Sequence, residues 1–109
     1  RVYRDIVEFI GRHYTNPGFC MNDVSEYLGV SVFAASRMLT NLTGENFRKY
    51  LNDMRLDYAC ELLRETELTV AEIAEKVGFA SASYFISVFK KTYQVTPSHY
   101  KKAVRGKEA

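Results

Sequence analysis

Two short runs of side chains carry most of the recognition chemistry in this chain. One is Val32, Phe33, Ser36 and Arg37; the other is Ala82, Ser83, Ile86 and Ser87, followed by Lys90 and Lys91. In each run the first four positions fall at helical spacing and face away from the apolar residues between them. A guanidinium offers a rigid fork of donors that matches paired acceptors, as on the edge of a guanine. Serine hydroxyls hydrogen-bond to either kind of base edge, small apolar groups touch thymine methyls, and lysines hold phosphates. This is the chemistry of binding a polyanion.

Catalytic chemistry needs convergent polar groups, and the chain offers few. His13 and His99 lie far apart and have no cysteine at metal-ligand spacing. Gly78 to Ser83 lacks the glycines of a phosphate loop, and no serine sits in a nucleophile elbow. An enzyme, a metal site and a cofactor site are therefore not expected.

The second run sits inside the stretch around which the rest is organised, Val70 to Tyr100. Val70, Ile73, Ala74 and Val77 outline one face of a short helix. Gly78 suits a tight turn, and Phe79 can enter the core beside it. Phe85, Val88 and Phe89 then share the buried stripe of a second helix. Thr96 can cap a last helix, from Pro97 to Val104, with proline at its first position. Two short helices joined by a glycine turn of three or four residues is the motif that lays its second helix in the major groove of DNA.

The pattern occurs twice. Val24 to Tyr50 aligns with Ile73 to Tyr100: Gly29 falls under Gly78, and Ser31 under Ser81 after a slip of one residue. Met38 and Leu39 then meet Val88 and Phe89, and Tyr50 meets Tyr100. Asn46 to Arg64 links the two units as a long helix with an apolar stripe of Phe47, Tyr50, Leu51, Met54, Tyr58, Leu62 and Leu63. At 1.5 Å per residue it would span ~28 Å, against the ~34 Å between successive major-groove faces on one side of a duplex.

The remaining segments are support. Tyr3, Ile6, Val7, Ile10 and Tyr14 mark a first helix, ended by Asn16-Pro17-Gly18. Asn22 or Asp23 can cap the next, with Val24, Tyr27 and Leu28 inward. Ser31 caps a third, with Ala35, Met38, Leu39 and Leu42 on its apolar side and Gly44 as its stop. Thr69 caps the helix at Val70, and a charged tail follows from Arg105. No segment reads as a strand. The expectation is an all-α domain over 1–109 with about seven helices. Its helix-turn-helix units cover about 23–43 and 70–93, and its linker helix about 46–64.

Composition agrees. The 109 residues are 47% hydrophobic, enough for a core. The net charge of +2 is unevenly spread. No Asp or Glu occurs between Lys76 and Lys107, whereas Lys90, Lys91, Lys101, Lys102 and Arg105 do. A basic lobe of this kind suits nucleic acid. Cys20 and Cys60 read as packing positions with reduced thiols, the usual state in a cytoplasm. No apolar run reaches the ~18 residues of a membrane span, and no signal peptide is visible. The chain begins at Arg1, as expected of a fragment with a preceding N-terminal part.

Arg55-Leu56, Ala59, Leu62-Leu63, Ile73-Ala74, Val77-Gly78-Phe79, Ser83-Tyr84-Phe85, Phe89-Lys90-Lys91, Thr96-Pro97-Ser98 and Tyr100 together resemble the signature of the AraC/XylS bacterial transcription regulators. The resemblance runs from about Ile6 to Lys102 and is stronger in the second unit. It implies seven helices with two helix-turn-helix motifs, both recognition helices in major grooves of double-stranded DNA, and a cytoplasmic protein. It also implies an attached N-terminal sensor or dimerisation domain, with RNA polymerase as a candidate partner. Arg37 stands where the family commonly has arginine, and Phe33 where it is often aromatic. Ser87 replaces a frequent arginine, and Thr40 and Asn41 replace two lysines.

Other roles compete for several of these residues. Phe33 could be core, Ser83 a helix-start hydroxyl, and Lys90 and Lys91 an ordinary charged face. Arg55 is expected to pair with Asp53, Asp57 or a helix end. Backbone N–H groups near Ser31, Thr69 and Ser81 are further phosphate donors. The rival function is a helical protein-interaction module, which salt would separate from DNA binding.

Overall fold

In the computed structural model the backbone is described for residues 2–106 and the side chains for residues 4–106. The described residues form seven helices and no strand: α1 (Val2–His13), α2 (Met21–Leu28), α3 (Val32–Thr43), α4 (Phe47–Glu65), α5 (Val70–Val77), α6 (Ala82–Tyr93) and α7 (Pro97–Gly106). Their contacts divide the chain into two units, 1–54 and 55–109, and α4 runs through the boundary.

Each unit is a helix-turn-helix pair that shares its own core with part of α4 and one further helix. In the first, Ile6, Ile10, Phe19, Val24, Ala35, Leu39 and Leu51 are buried together. In the second, Leu56, Leu63, Ile73, Val77, Phe85 and Phe89 form the centre. The apolar positions of α4 thus serve two cores rather than one continuous stripe. Leu51 belongs to the first core, whereas Leu56, Ala59, Cys60, Leu62 and Leu63 belong to the second. Phe47, Tyr50, Met54 and Tyr58 are only half-buried.

The helix starts follow local chemistry. Ser31 Oγ accepts from Ala34 N at 3.0 Å, and Ser81 Oγ accepts from Tyr84 N at 3.1 Å. Thr69 and Glu72 form a reciprocal capping box at α5. Asn46 and Thr96 accept from the backbone of Lys49 and His99. The start of α2 differs from the expectation. Its cap position is Cys20, and Asp23 lies one turn inside, accepting from Cys20 N at 2.9 Å. That role leaves Cys20 exposed, so only Cys60 is a packing cysteine; neither is in a disulfide. Burial pushes the Cys60 thiol above its ordinary range, against hydrogen bonds from Tyr93 and Tyr100, so it stays protonated and unreactive.

Burial departs from the sequence pattern at helix rims. Tyr27 is 44% exposed, because its ring lies flat on Phe9, 4.1 Å away, instead of entering the core. Leu42, in the last turn of α3, is 37% exposed, since the core is already closed by Leu39 one turn earlier. The side chain of Tyr3 lies outside the described residues. The last helix is longer than expected and anchored. Arg105 donates to Glu67 and, at 2.6 Å, to the carbonyl of Thr66. A guanidinium at the carbonyl end of α4 also suits that helix's dipole.

The two helix-turn-helix turns are built alike but differ in length. Both close with the same pair of backbone bonds: Gly29 N to Glu26 O with Val30 N to Ser25 O, and Gly78 N to Glu75 O with Phe79 N to Ala74 O. Gly78 has a φ of 110°, which side chains rarely adopt. The second turn has one more residue, and Phe79 is buried there whereas Val30 is 39% exposed. That extra residue is the slip in the repeat. A second asymmetry lies at the recognition-helix ends: Gly44 caps α3, but Gln94 at φ 68° caps α6. Gln94 is the sole non-glycine with positive φ among the described residues. Gln94→Gly is expected to raise stability by about 1 kcal/mol, since it relieves left-handed backbone strain at an exposed site. Thermal unfolding would show it; a lower midpoint would mean that the hydrogen bond from Gln94 Nε2 to Lys91 O outweighs the strain.

Candidate nucleic-acid interface

The sequence-derived site residues occupy equivalent places on two equivalent helices. Val32, Phe33, Ser36 and Arg37 are the first, second, fifth and sixth residues of α3. Ala82, Ser83, Ile86 and Ser87 hold the same places on α6. The opposite faces are anchored by Ala35 and Leu39 in one unit and by Phe85 and Phe89 in the other, all at 0–1% exposure. A helix held by that stripe must present the two quartets outward.

The structure brings all four residues of the first quartet to one surface. Phe33 is 72% exposed and Val32 is 42% exposed, so Phe33 is not a core residue. Its position one turn before Arg37 takes it off the Ala35–Leu39 stripe. Ser36 is half-buried and Arg37 is exposed. The Arg37 guanidinium lies over the Phe33 ring, 5.7 Å from its centroid. Such a cation–aromatic contact holds a long side chain in one place without using its donors. Phe33, Arg37 and Asn41 share the rim of a shallow cleft along α3.

On α6, Ser83, Ile86 and Ser87 are exposed and Ala82 is half-buried. Ser83 is not the helix-start hydroxyl, because Ser81 performs that role. Lys90 and Lys91 are exposed in the last turn. The last turn of α3 has no basic residue. Of the other cations in the basic lobe, Lys102 is exposed, Lys101 reaches the carbonyl of Leu68 at 3.4 Å, and Arg105 is committed to Glu67 and Thr66.

Two residues stand elsewhere than their sequence pattern suggests. Tyr84 carries part of the family signature and nothing more in the sequence, yet it is 40% exposed on the outer side of α6 and packs edge-on against Phe79 at 5.9 Å. Its neighbour Phe85, in the stripe with Val88 and Phe89, is fully buried. Arg55 is 6% exposed, with its guanidinium over the Phe79 ring at 5.8 Å. Burial lowers its pKa, opposed by the charge of Tyr84. Asp53, one of its expected partners, pairs with Lys49 at 2.9 Å. Arg55 therefore braces the turn of the second unit from within.

Backbone donors add to both faces. The starts of α3, α5 and α6 are capped by Ser31, Thr69 and Ser81, and each carries the positive end of its helix dipole. Among the described residues no cluster of His, Cys, Asp or Glu could hold a metal ion. None of the described helices is long and apolar enough to cross a membrane.

Comparison with known proteins identifies this arrangement. The family profile described as "Helix-turn-helix domain" matches residues 24–103. The C-terminal domain of the two-component response regulator yesN from Fusobacterium nucleatum superposes with a TM-score of 0.87 at 41% identity, covering 90% of this chain and 95% of that one. The regulatory protein PocR of Salmonella typhimurium is 34% identical over 84 residues, which are 77% of this chain and 28% of PocR. The transcriptional activator RhaR of Mannheimia succiniciproducens is 35% identical over 83 residues, 76% of this chain and 30% of RhaR. The chain thus spans under a third of the length of these two regulators. By its duplicated, serine-capped helix pairs and by the match over 24–103, the chain belongs to the AraC/XylS-type helix-turn-helix family.

Proposed function

We propose that this chain is a sequence-specific double-stranded DNA-binding domain of a bacterial transcription regulator, with α3 and α6 entering adjacent major grooves. One observation carries the reading: two helices, each capped by serine and gripped by its own core, turn the same four positions away from that core's centre, three of the four exposed on each helix. In a helix-turn-helix those positions meet base edges. Arg37 takes a guanine, and Phe33 touches a thymine methyl or a sugar. Lys90, Lys91 and the helix starts at Ser31, Thr69 and Ser81 hold phosphates. Residues 23–43 and 70–93 act as the reading units and 46–64 as the spacer within a domain of 1–109. In the whole protein an N-terminal sensing or dimerising domain sets when this domain binds in the cytoplasm, and RNA polymerase is the partner that reads the outcome.

Selection of bound duplexes from a random pool, repeated at low and moderate salt, tests this. An enriched motif with binding that weakens steeply as salt rises is expected. Salt-insensitive binding to protein and none to DNA would favour the interaction module instead.

Ser87→Arg is expected to raise affinity for the selected duplex, because position 87 is exposed beside Ser83 and a cation there adds attraction to the phosphates. A titration at fixed salt reads it. A loss of affinity would show that the longer side chain disturbs the fit of α6 in the groove more than its charge helps.

A further inference from the structure

Building on the DNA-binding reading, we propose that the two units take chemically different boxes. The box under α3 requires a guanine beside a thymine. The box under α6 requires no guanine and is read at thymine methyl groups.

The argument rests on what each quartet can offer. On α3, the guanidinium of Arg37 supplies paired donors, and guanine is the base whose major-groove edge carries two acceptors, O6 and N7. Phe33 holds that guanidinium at 5.7 Å and is itself 72% exposed. The guanidinium and the ring centroid are 5.7 Å apart, whereas base pairs stack every ~3.4 Å. Ring and guanidinium therefore fall one to two base steps apart. The single apolar group in the major groove is the thymine C5 methyl, so the ring's partner is a thymine next to the guanine.

On α6 no side chain of the quartet carries paired donors, or a donor with an acceptor held rigidly beside it. Ala82 and Ile86 are apolar, and Ser83 and Ser87 are hydroxyls that accept either base edge. Ile86 keeps 37% of its surface in water. Covering that surface needs an apolar partner on the DNA, and only thymine has one. The charge on this helix lies past the quartet, at Lys90 and Lys91, where it strengthens binding without choosing a base. Unit one thus adds a hydrogen-bonded guanine to its methyl contact, whereas unit two discriminates by methyl groups alone over a phosphate grip.

Modified bases separate these cases without changing base pairing. The selected duplex is remade with 7-deazaguanine for guanine, which removes the N7 acceptor, or deoxyuridine for thymidine, which removes only the methyl. Each change is made one box at a time, and affinity is measured by fluorescence anisotropy with the 109-residue chain. 7-Deazaguanine in one box is expected to lower affinity about tenfold, and Arg37→Ala to erase that sensitivity. Deoxyuridine in the other box is expected to lower affinity about fourfold per contacted methyl, and Ile86→Ala to erase that. Both substituted residues are exposed, and unchanged helical circular dichroism confirms that the variants fold. A guanine requirement in both boxes, or deoxyuridine sensitivity that survives Ile86→Ala, overturns the division of labour while leaving DNA reading intact. Failure to enrich any motif overturns the DNA reading and this inference together.

Discussion

Arg37→Ala is expected to weaken binding to the selected duplex by roughly 5- to 150-fold, and binding to random DNA by far less. One bidentate arginine–guanine pair contributes ~1–3 kcal/mol of discrimination, and each ~1.4 kcal/mol is tenfold in affinity. A phosphate contact would behave otherwise: its loss weakens all sequences alike and lowers the salt dependence by about one ion. The structure makes the base-edge role the favoured one. Arg37 is on the outer face of α3, in its first half, and its guanidinium rests on the Phe33 ring rather than on a carboxylate. Competition titrations with specific and random duplexes at one salt concentration give both numbers. Equal losses would reassign Arg37 to the backbone.

Phe89→Ala is expected to cost more stability than any other change considered. Phe89 is fully buried in the second core, with ring centroids of Tyr93, Phe85 and Tyr100 at 4.7, 5.8 and 5.8 Å. Truncating such a side chain removes its transfer free energy and leaves a cavity, a loss of about 3–5 kcal/mol. Domains this small have total stabilities at the low end of ~5–15 kcal/mol. The variant should therefore be largely unfolded at physiological temperature. Urea unfolding followed by circular dichroism measures it, and a loss under about 1 kcal/mol would place Phe89 outside the packed core. Phe33→Ala is the matched contrast. It removes the same ring from a site 72% exposed, so stability should hardly change while DNA affinity falls.

Most of the helix boundaries are legible in the amino-acid sequence. Ser31, Thr69 and Ser81 begin helices because a hydroxyl at the cap satisfies a backbone N–H three residues on, and that interaction is local. Gly29, Gly44 and Gly78 end helices for an equally local reason, their tolerance of positive φ. The repeat and its one-residue slip are visible as well, although only the folded chain shows that the slip is an extra turn residue and that Phe79 is buried there. The outward quartets follow from helical period alone once the buried stripe is chosen.

What local pattern could not decide is how far each face is covered. Leu42 and Tyr27 fit an apolar stripe as well as Leu39 and Leu28 do, yet their cores close before reaching them. Arg55 reads as a cation paired with Asp53, Asp57 or a helix end, and only the docking of Phe79 and Tyr84 around it buries it. Arg105 reads as tail, and becomes an anchor because the end of α4 and Glu67 lie within its reach. The helices, their caps, the doubled motif and the face each recognition helix turns outward depend on residues within a few positions of one another, so the order of residues settles them. Packing settles the rest: that Phe33 stands in solvent beneath Arg37, that α4 is divided between two cores, and which cations remain available to a polyanion. Burial and pairing depend on groups brought together from distant parts of the chain.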